Sequence, residues 1–322
     1  MKAAIYTRYG SPDVVQIGDT EKPVPNDNEV LIKVRAASVN PYDWHFMRGH
    51  PYFLRLVAGL RKPKDTRLGA DVAGQVEATG RNVTRFKVGD EVFGICRGAF
   101  AEYARSAEKT LAIKPKSLTF EQAASAPIAA LTALQGLRDK GHIQPGQKIL
   151  INGAAGGVGT FAVQIAKSFG ADVTGVCSTR NMEMVRSIGA NQVVDYTHED
   201  FTKSGHRYDI ILDAVGNQSL SECGRILTPK GVLIMVGATA DPWMIDAMIR
   251  GIGASVVSRF MSQKTVGMVA KSNQADMTIL GDLMATGKVK PVIDRRYSLN
   301  EVPEAIRHLE AGHARGKVVI TL

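Results

Sequence analysis

Cysteine is scarce in this sequence. Its 322 residues include three, Cys96, Cys177 and Cys223, far apart and with no Cys-x-x-Cys pair. Neither a disulfide framework nor a cysteine-built zinc site is supported by that spacing. Long apolar runs are missing too: none approaches the ~18 residues that suggest a membrane-spanning helix. Met1–Tyr9 reads as a short strand with Arg8 inside it rather than as a signal peptide. A reducing, cytoplasmic setting is therefore expected. The sequence also lacks internal repeats, low-complexity tracts and any Ser/His/Asp constellation that would point to a dedicated acid–base relay. Aromatic residues make up only 6%, but hydrophobic residues reach 44% against 22% charged, which supplies ample core and excludes wholesale disorder.

Glycine and positive charge are in surplus. There are 32 glycines, and 40 Lys+Arg stand against 31 Asp+Glu for a net charge of +9. Such an excess suits nucleic acid, an anionic membrane or a phosphorylated ligand, so its location matters. Residues 123–287 carry 14 Lys+Arg and 13 Asp+Glu, a net of +1, and the rest of the chain carries +8. Arg55–Arg67 alone has five positive residues and one aspartate, hence +4. A surplus gathered in one loop is no chain-wide nucleic-acid signature. No nucleic-acid partner is expected, and peripheral membrane contact is kept as a minor alternative.

The pattern along the chain changes twice. Up to about Gln122, short β runs (Ala3–Tyr6, Glu29–Ala37, Val72–Ala78, Glu91–Gly94, Phe100–Ala104) are punctuated by turns such as Gly10–Pro12 and Pro25–Asp27. Between Ala123 and Gly287, buried-type strands (Lys148–Asn152, Asp172–Cys177, Asp209–Asp213, Gly231–Val236) alternate with helical segments such as Thr160–Phe169 and Asn181–Ile188. That alternation predicts βαβ units on a parallel sheet, with Asn273–Thr286 as the closing helix. The last stretch holds Tyr297–Leu299, a helix near Val302–Ala311 and a final strand, Lys317–Leu322. The expected organisation is α/β: a discontinuous, mostly β domain (1–122 and 288–322) around a doubly wound parallel-sheet domain (123–287).

The strongest local signal is a strand, Lys148–Asn152, running into Gly153-Ala-Ala-Gly-Gly-Val-Gly159 and an apolar helix. A helix N-terminus offers free amides and the positive end of its dipole to an anion. Taken as A-x-G-x-x-G, Ala154 holds the tight-turn position, Gly156 lets the backbone approach a pyrophosphate and Gly159 allows close helix–strand contact. The candidate cofactor-binding residues here are Asn152, Gly153, Ala154, Ala155, Gly156, Gly157, Val158 and Gly159. An NAD site usually carries Asp or Glu at the end of the next strand. This chain has Ser178-Thr-Arg-Asn181 there and no carboxylate before Glu183. The hydroxyl of Ser178 and the guanidinium of Arg180 suit a 2′-phosphate, so NADPH is favoured over NADH.

These motifs belong to a longer series: Ser38-Val-Asn-Pro-Tyr-Asp43, Leu68-Gly-Ala-Asp-Val-Ala-Gly74, Val88-Gly-Asp-Glu-Val-Phe-Gly94, Ala126-Pro-Ile-Ala-Ala-Leu-Thr-Ala133, the glycine turn, Gly189-Ala-Asn-Gln-Val-Val-Asp-Tyr196 and Leu212-Asp-Ala-Val-Gly216. Over nearly its whole length the chain resembles the medium-chain dehydrogenase/reductase superfamily, in its zinc-independent quinone oxidoreductase (zeta-crystallin-like) branch. The resemblance implies a GroES-like catalytic domain and a Rossmann domain with NADPH between them. Zinc-binding members place a cysteine where this chain has Asn40 and a His-Glu pair where it has Ala70-Asp71. No metal ligand is assigned; His45 and His50 lie five apart in a stretch read as loop. By position, the resemblance makes Asn40 and Thr132 line the nicotinamide pocket, with Tyr42 and Tyr52 as substrate-side hydroxyls. It sets Tyr196 near the adenosine 2′-phosphate, and Asp213, Val215, Val236, Gly237 and Ala238 at strand ends along the cofactor. Lys317 reaches the nicotinamide amide. The 48–67 stretch is longer and more basic than in close quinone oxidoreductases and is expected to border the substrate cleft.

Without zinc there is no strong Lewis acid to polarise an alcohol, so reduction of an activated acceptor, a quinone or an α,β-unsaturated carbonyl, is expected. The alternatives are a non-catalytic NADPH-binding or sensing protein and a zinc-independent alcohol dehydrogenase. The apolar stretch Ala254–Phe260 suggests an edge that pairs with a copy of itself, and hence a homodimer.

Overall fold

The computed structural model describes residues 1–236 and 263–322. The chain divides into two compact units: Met1–Ala129 with Lys271–Gly287 and Pro291–Leu322, and Ala130–Ala270 with Lys288–Lys290.

The first unit is built on the strand Glu29–Val39, whose side chains are buried at nine of eleven positions or nearly so, as a central strand requires. It pairs antiparallel with Asp71–Thr79, Tyr103–Ala107 and Lys317–Thr321. Glu91–Ile95 and Leu111–Ile113 extend one side, and Ile293–Ser298 lies parallel to Lys317–Thr321 on the other. The core includes Ile32, Val34, Met47, Val72, Val92, Phe100 and Ile306. The strand expected at Phe100–Ala104 runs instead from Tyr103 to Ala107, because Phe100 turns inward at full burial and Ala101 makes only an isolated bridge to Ala3.

Two further differences concern helices. The stretch around His45, read as loop, is a helix, Pro41–Arg48. Proline at its first position needs no amide partner, Asp43 Oδ2 accepts the Asn40 N–H at 2.8 Å, and Gly49 closes the helix at φ 61°. The helix Gln274–Ala285 packs in the first unit, where a Cβ on Gly281 would already touch Phe93 and Pro115. Residues 237–262, which include Gly237, Ala238 and the proposed pairing edge Ala254–Phe260, lie outside the described residues.

The second unit holds a six-stranded parallel sheet in the order Gln192–Asp195, Asp172–Cys177, Lys148–Asn152, Tyr208–Asp213, Leu227–Met235, Lys264–Gly267. In chain order this is 3-2-1-4-5-6, the doubly wound Rossmann arrangement. Its strands are β-branched and leucine-rich because helices cover the faces, and the helix Gly157–Ser168 is buried along Gly159–Ala166. The strand order reverses direction between Lys148–Asn152 and Tyr208–Asp213, and a crevice at such a switch point is where open α/β sheets take ligands.

Candidate functional site

The register of the first sheet gathers polar residues that are far apart in sequence. Ser38 pairs with Asp71, and Val39 pairs with Val318, so Asn40 stands opposite Lys317 one step further on. Opposed residues of an antiparallel pair share a face, as do residues two apart along one strand. Ser38, Asn40, Asp71 and Lys317 thus converge, all buried.

Asp71 Oδ2 accepts from the Ser38 hydroxyl and from Asn40 Nδ2, each at 2.8 Å, and Oδ1 accepts the Ile128 N–H at 2.9 Å. Lys317 Nζ stands 3.5 Å from Asp71 Oδ2 and donates to Asn40 Oδ1 at 2.6 Å. Asn40 therefore has both ends of its amide engaged, with Ser38 O as a further acceptor at 3.2 Å. Burial lowers the Lys317 pKa, opposed by the charges of Asp71 and Asp43. Asp43 sits just below, its carboxylate accepting the N–H groups of Asn40 and, at 3.1 Å, Gly69. Burial pushes Asp43 up to about 7, the two amides pull it down, and the Asp71 charge pushes it up again.

Tyr42 and Tyr52 stand at the surface of the same unit. Tyr42 packs its ring on Phe46 at 4.4 Å between centroids. Burial of part of the ring and the Asp43 charge raise its hydroxyl pKa, with Arg97 opposing. Tyr52 contacts the His50 ring and lies under the Arg55 guanidinium. His45 Nδ1 lies 3.0 Å from the His50 carbonyl oxygen, and among the described residues no group of three or more His, Cys, Asp and Glu could hold a metal ion. All three cysteines are buried and free; burial pushes the Cys177 thiol up to about 11 and Cys223 to about 12.

In the second unit the glycine turn follows strand Lys148–Asn152 and opens helix Gly157–Ser168. The left-handed residue is Gly153, at φ 83°, one position before the Ala154 to which the motif assigns the tight turn. Ala154 is fully buried instead, its N–H donating to Val176 O at 3.0 Å. Gly156 is the N-cap, and a Cβ there would meet only Gly153 O at 3.4 Å. On Gly159 a Cβ would fall 2.0 Å from Gly153 O. Ala155, Gly157 and Val158 complete the turn. Open space at Gly156 combined with free helix-start amides fits a pyrophosphate.

The strand ends beside it are held by one carboxylate. Asp213 Oδ1 accepts Asn152 Nδ2 at 2.9 Å and the N–H groups of Val215 and Gly216 at 3.0 and 2.9 Å. Val236 donates its N–H to Asp213 O at 2.9 Å. Asn152 and Asp213 are thus buried scaffold that shapes the crest of the sheet. Ser178 caps the end of strand Asp172–Cys177, with its Oγ accepting Asn181 Nδ2 at 3.2 Å and Arg180 exposed two residues on. Asn181 Oδ1 is buried with no partner beside them, an acceptor left for a ligand or water. Tyr196 is exposed, its N–H bonded to Cys177 O, and lines a hollow of about 320 Å³ with Thr197, Asp200, Asn217 and Gln218. Thr132 is buried on the helix Pro127–Gln135.

Sequence reasoning missed several residues that position others. Asp43 was legible as the third residue after an N-cap asparagine. Ser38 and Asp71 were quoted only as parts of motifs, and their partnership rests on strand register. Asp195 was missed too. It accepts from the Thr179 hydroxyl and from the N–H and hydroxyl of Thr197, at 2.9 and 2.6 Å. Burial would raise its pKa, yet those hydrogen bonds hold it at about 2.

Residues 26–116 match the alcohol dehydrogenase GroES-like domain and residues 188–320 match the zinc-binding dehydrogenase family. The chain is 36% identical to the 2-methylene-furan-3-one reductase of Solanum lycopersicum, over 99% of this chain and 79% of that protein. It is 34% identical to the chloroplastic NADPH-dependent alkenal/one oxidoreductase of Arabidopsis thaliana, again over 99% of this chain and 79% of that protein. Among solved structures, the quinone oxidoreductase of Coxiella burnetii matches with a TM-score of 0.88 and 31% identity, covering 100% of this chain and 99% of that one. On the fold, the motifs and these relatives together, the chain belongs to the medium-chain dehydrogenase/reductase superfamily, in the branch of the quinone oxidoreductases and enone reductases.

Proposed function

We propose that the protein is an NADPH-dependent oxidoreductase that reduces a quinone or an α,β-unsaturated carbonyl without zinc. The observation that carries this reading is the glycine turn at the switch point of the parallel sheet, followed at the next strand end by Ser178 and Arg180 in place of a carboxylate. The activities named for its relatives, 2-methylene-furan-3-one reductase, NADPH-dependent alkenal/one oxidoreductase and quinone oxidoreductase, support the same reading.

When bound, NADPH supplies a hydride for the β-carbon of an enone or for a quinone ring. The residues of this chain bind and orient. The amides of Gly157–Gly159 take the pyrophosphate, Ser178 and Arg180 take the 2′-phosphate, and Tyr196 flanks the adenosine. Asp213 and Asn152 hold the strand ends in place beneath the cofactor, and Val215 and Val236 border it. Asn40, fixed between Lys317 and Asp71, is the candidate nicotinamide-side residue of the first unit, and Thr132 is the candidate of the second. The oxygen that gains charge during reduction needs donors. The raised hydroxyl pKa of Tyr42 keeps its proton in place at neutral pH, so Tyr42 Oη serves as a hydrogen-bond donor rather than a base, with Tyr52 as a second candidate. The proton itself comes from solvent or a tyrosine, and positioning supplies most of the rate.

Zinc independence rests on chemistry at the residue level. Asn40 and Ala70 are not zinc ligands of the strength of the cysteine and histidine they stand for in zinc-binding members, and Asn40 is already committed to Lys317 and Asp71. A cytoplasmic location suits the three buried thiols. A homodimer is inferred from the apolar sequence Ala254–Phe260; light scattering that returned a monomer at micromolar concentration would remove it.

The deciding experiment mixes the purified protein with NADPH and a panel of quinones, enones and simple aldehydes, and separately with NADP+ and simple alcohols, while following reduced-nicotinamide absorbance. Turnover on quinones or enones, undiminished by a chelator, is expected. Tight NADPH binding without turnover on any acceptor would make the chain a binding protein instead.

A further inference from the structure

One short segment of the first unit is built the wrong way round for a globular surface. Around the helix Leu54–Ala58, the exposed side chains are Tyr52 (66%), Phe53 (40%), Leu56 (71%), Val57 (76%) and Leu60 (68%). Leu56 and Val57 lie on the helix, Tyr52 and Phe53 lead into it, and Leu60 follows Gly59, whose φ of 122° ends it. An exposed patch of this size and composition is what interaction surfaces of soluble proteins carry.

The segment is tied down, so this exposure is not slack. Arg55, its one polar handle, turns inward: Nε donates to Gly49 O at 3.0 Å and the guanidinium lies over the Tyr9 ring at 4.5 Å. Tyr9 Oη donates to Gly59 O at 2.6 Å, and the N–H of Lys64 donates to Ala58 O at 2.7 Å. Pro51 and Pro63 are buried at either end. The framework holds the charged residue in and the apolar residues out.

The rim is basic. Arg61, Lys62 and Lys64 are exposed and, among the described residues, form no ion pair, while the single aspartate, Asp65, is engaged by Arg67 at 3.2 Å. We propose that residues 52–64 dock the protein on an anionic lipid surface, with Phe53, Leu56, Val57 and Leu60 entering the headgroup–acyl boundary and Arg61, Lys62 and Lys64 facing acidic headgroups. Amphipathic interfacial segments combine these two components, and a negative leaflet supplies the apolar depth and the charge this patch lacks. A second copy of the chain fits worse, because it would set one +4 loop against another within a Debye length. Tyr52, the second candidate donor of the proposed reaction, belongs to the same segment and is left unchanged by the variants below.

The test is sedimentation of the full chain with vesicles of phosphatidylcholine alone or with about 30% phosphatidylglycerol. Partition onto the anionic vesicles is expected to be about tenfold greater and to collapse in about 0.5 M salt. Leu56→Ser with Val57→Ser, and separately Arg61→Gln with Lys62→Gln and Lys64→Gln, should each reduce partition about tenfold while leaving the thermal midpoint in place. Three outcomes overturn the proposal. One is equal or absent binding to the two vesicle types, or variants that bind like the parent. Another is self-association that Leu56→Ser/Val57→Ser abolishes without any vesicle binding. The third is retention on polyglutamate without vesicle binding, which would assign the face to an acidic protein.

Discussion

Lys317 Nζ donates to Asn40 Oδ1 over 2.6 Å, and the amide of that asparagine donates to Asp71 Oδ2 over 2.8 Å, with all three side chains buried. Asn40 is thereby the uncharged link between a buried cation and a buried anion. Its side-chain orientation is decided by charges on two other strands.

Removing one member of such a pair leaves the other charge stranded. Lys317→Met is expected to destabilise the fold by about 3–5 kcal/mol, read as a lower urea midpoint. Adding Asp71→Asn should recover part of the loss, because the amide carries no uncompensated charge and still has an oxygen to accept from its buried donors. A Lys317→Met variant as stable as the parent would show that the pair contributes nothing.

Asp43 gives a pH signature. Its carboxyl is raised from 3.8 to about 7 in the folded chain, so the folded state holds the proton more tightly than the unfolded state. The resulting stability is fully present below about pH 4 and is lost as pH rises through about 7. In Asp43→Asn, the neutral amide is present at every pH, but one of the two backbone amides loses its acceptor. Subtracting the variant's urea stability from the parent's should give a difference that shrinks between pH 4 and pH 7. A difference that grows would reverse the assigned direction.

Two glycines of the turn should separate folding from binding. Gly159→Ala brings a Cβ to 2.0 Å from Gly153 O, and the backbone must move. A loss of about 1–3 kcal/mol or more is expected. Gly156→Ala has room at 3.4 Å and an ordinary φ of −82°, so its thermal midpoint should stay near that of the parent. Its methyl lies where a pyrophosphate would approach, so dinucleotide affinity should fall at least about tenfold. Equal behaviour of the two variants in calorimetry and fluorescence titration would contradict these separate roles.

Cofactor choice is tested at the second strand end. Ser178→Ala with Arg180→Ala should weaken NADPH about a hundredfold, as two charge-assisted hydrogen bonds to a 2′-phosphate are lost, and change NADH by less than about threefold. Titration of both cofactors by nicotinamide fluorescence reads the ratio. Equal weakening would mean that these residues do not meet the phosphate.

Much of the sheet domain is legible in the sequence. The strands Lys148–Asn152 and Asp172–Cys177 begin and end where the apolar runs do, because a strand covered on both faces tolerates little else. The glycine turn was legible for the same reason: backbone approach and helix–strand contact leave few residue choices. The motif gives the tight turn to Ala154, while the left-handed φ falls on Gly153, because the motif fixes spacing and not dihedral angles. The helix Pro41–Arg48 escaped notice because its face pattern is short; its capping residues were the better signal.

By itself, the sequence determined what depends on neighbours along the chain: strand and helix periods, the phosphate-binding turn, the lack of a carboxylate after Cys177 and the family these motifs share. Tertiary structure alone decided what depends on register. Ser38, Asn40, Asp71 and Lys317 meet because antiparallel pairing sets Ser38 against Asp71 and Val39 against Val318, and no local pattern encodes that alignment. The basic surplus shows the same division. Its place in residues 55–67 was countable, but only folding, by turning Arg55 inward, left Leu56, Val57 and Leu60 facing solvent beside it.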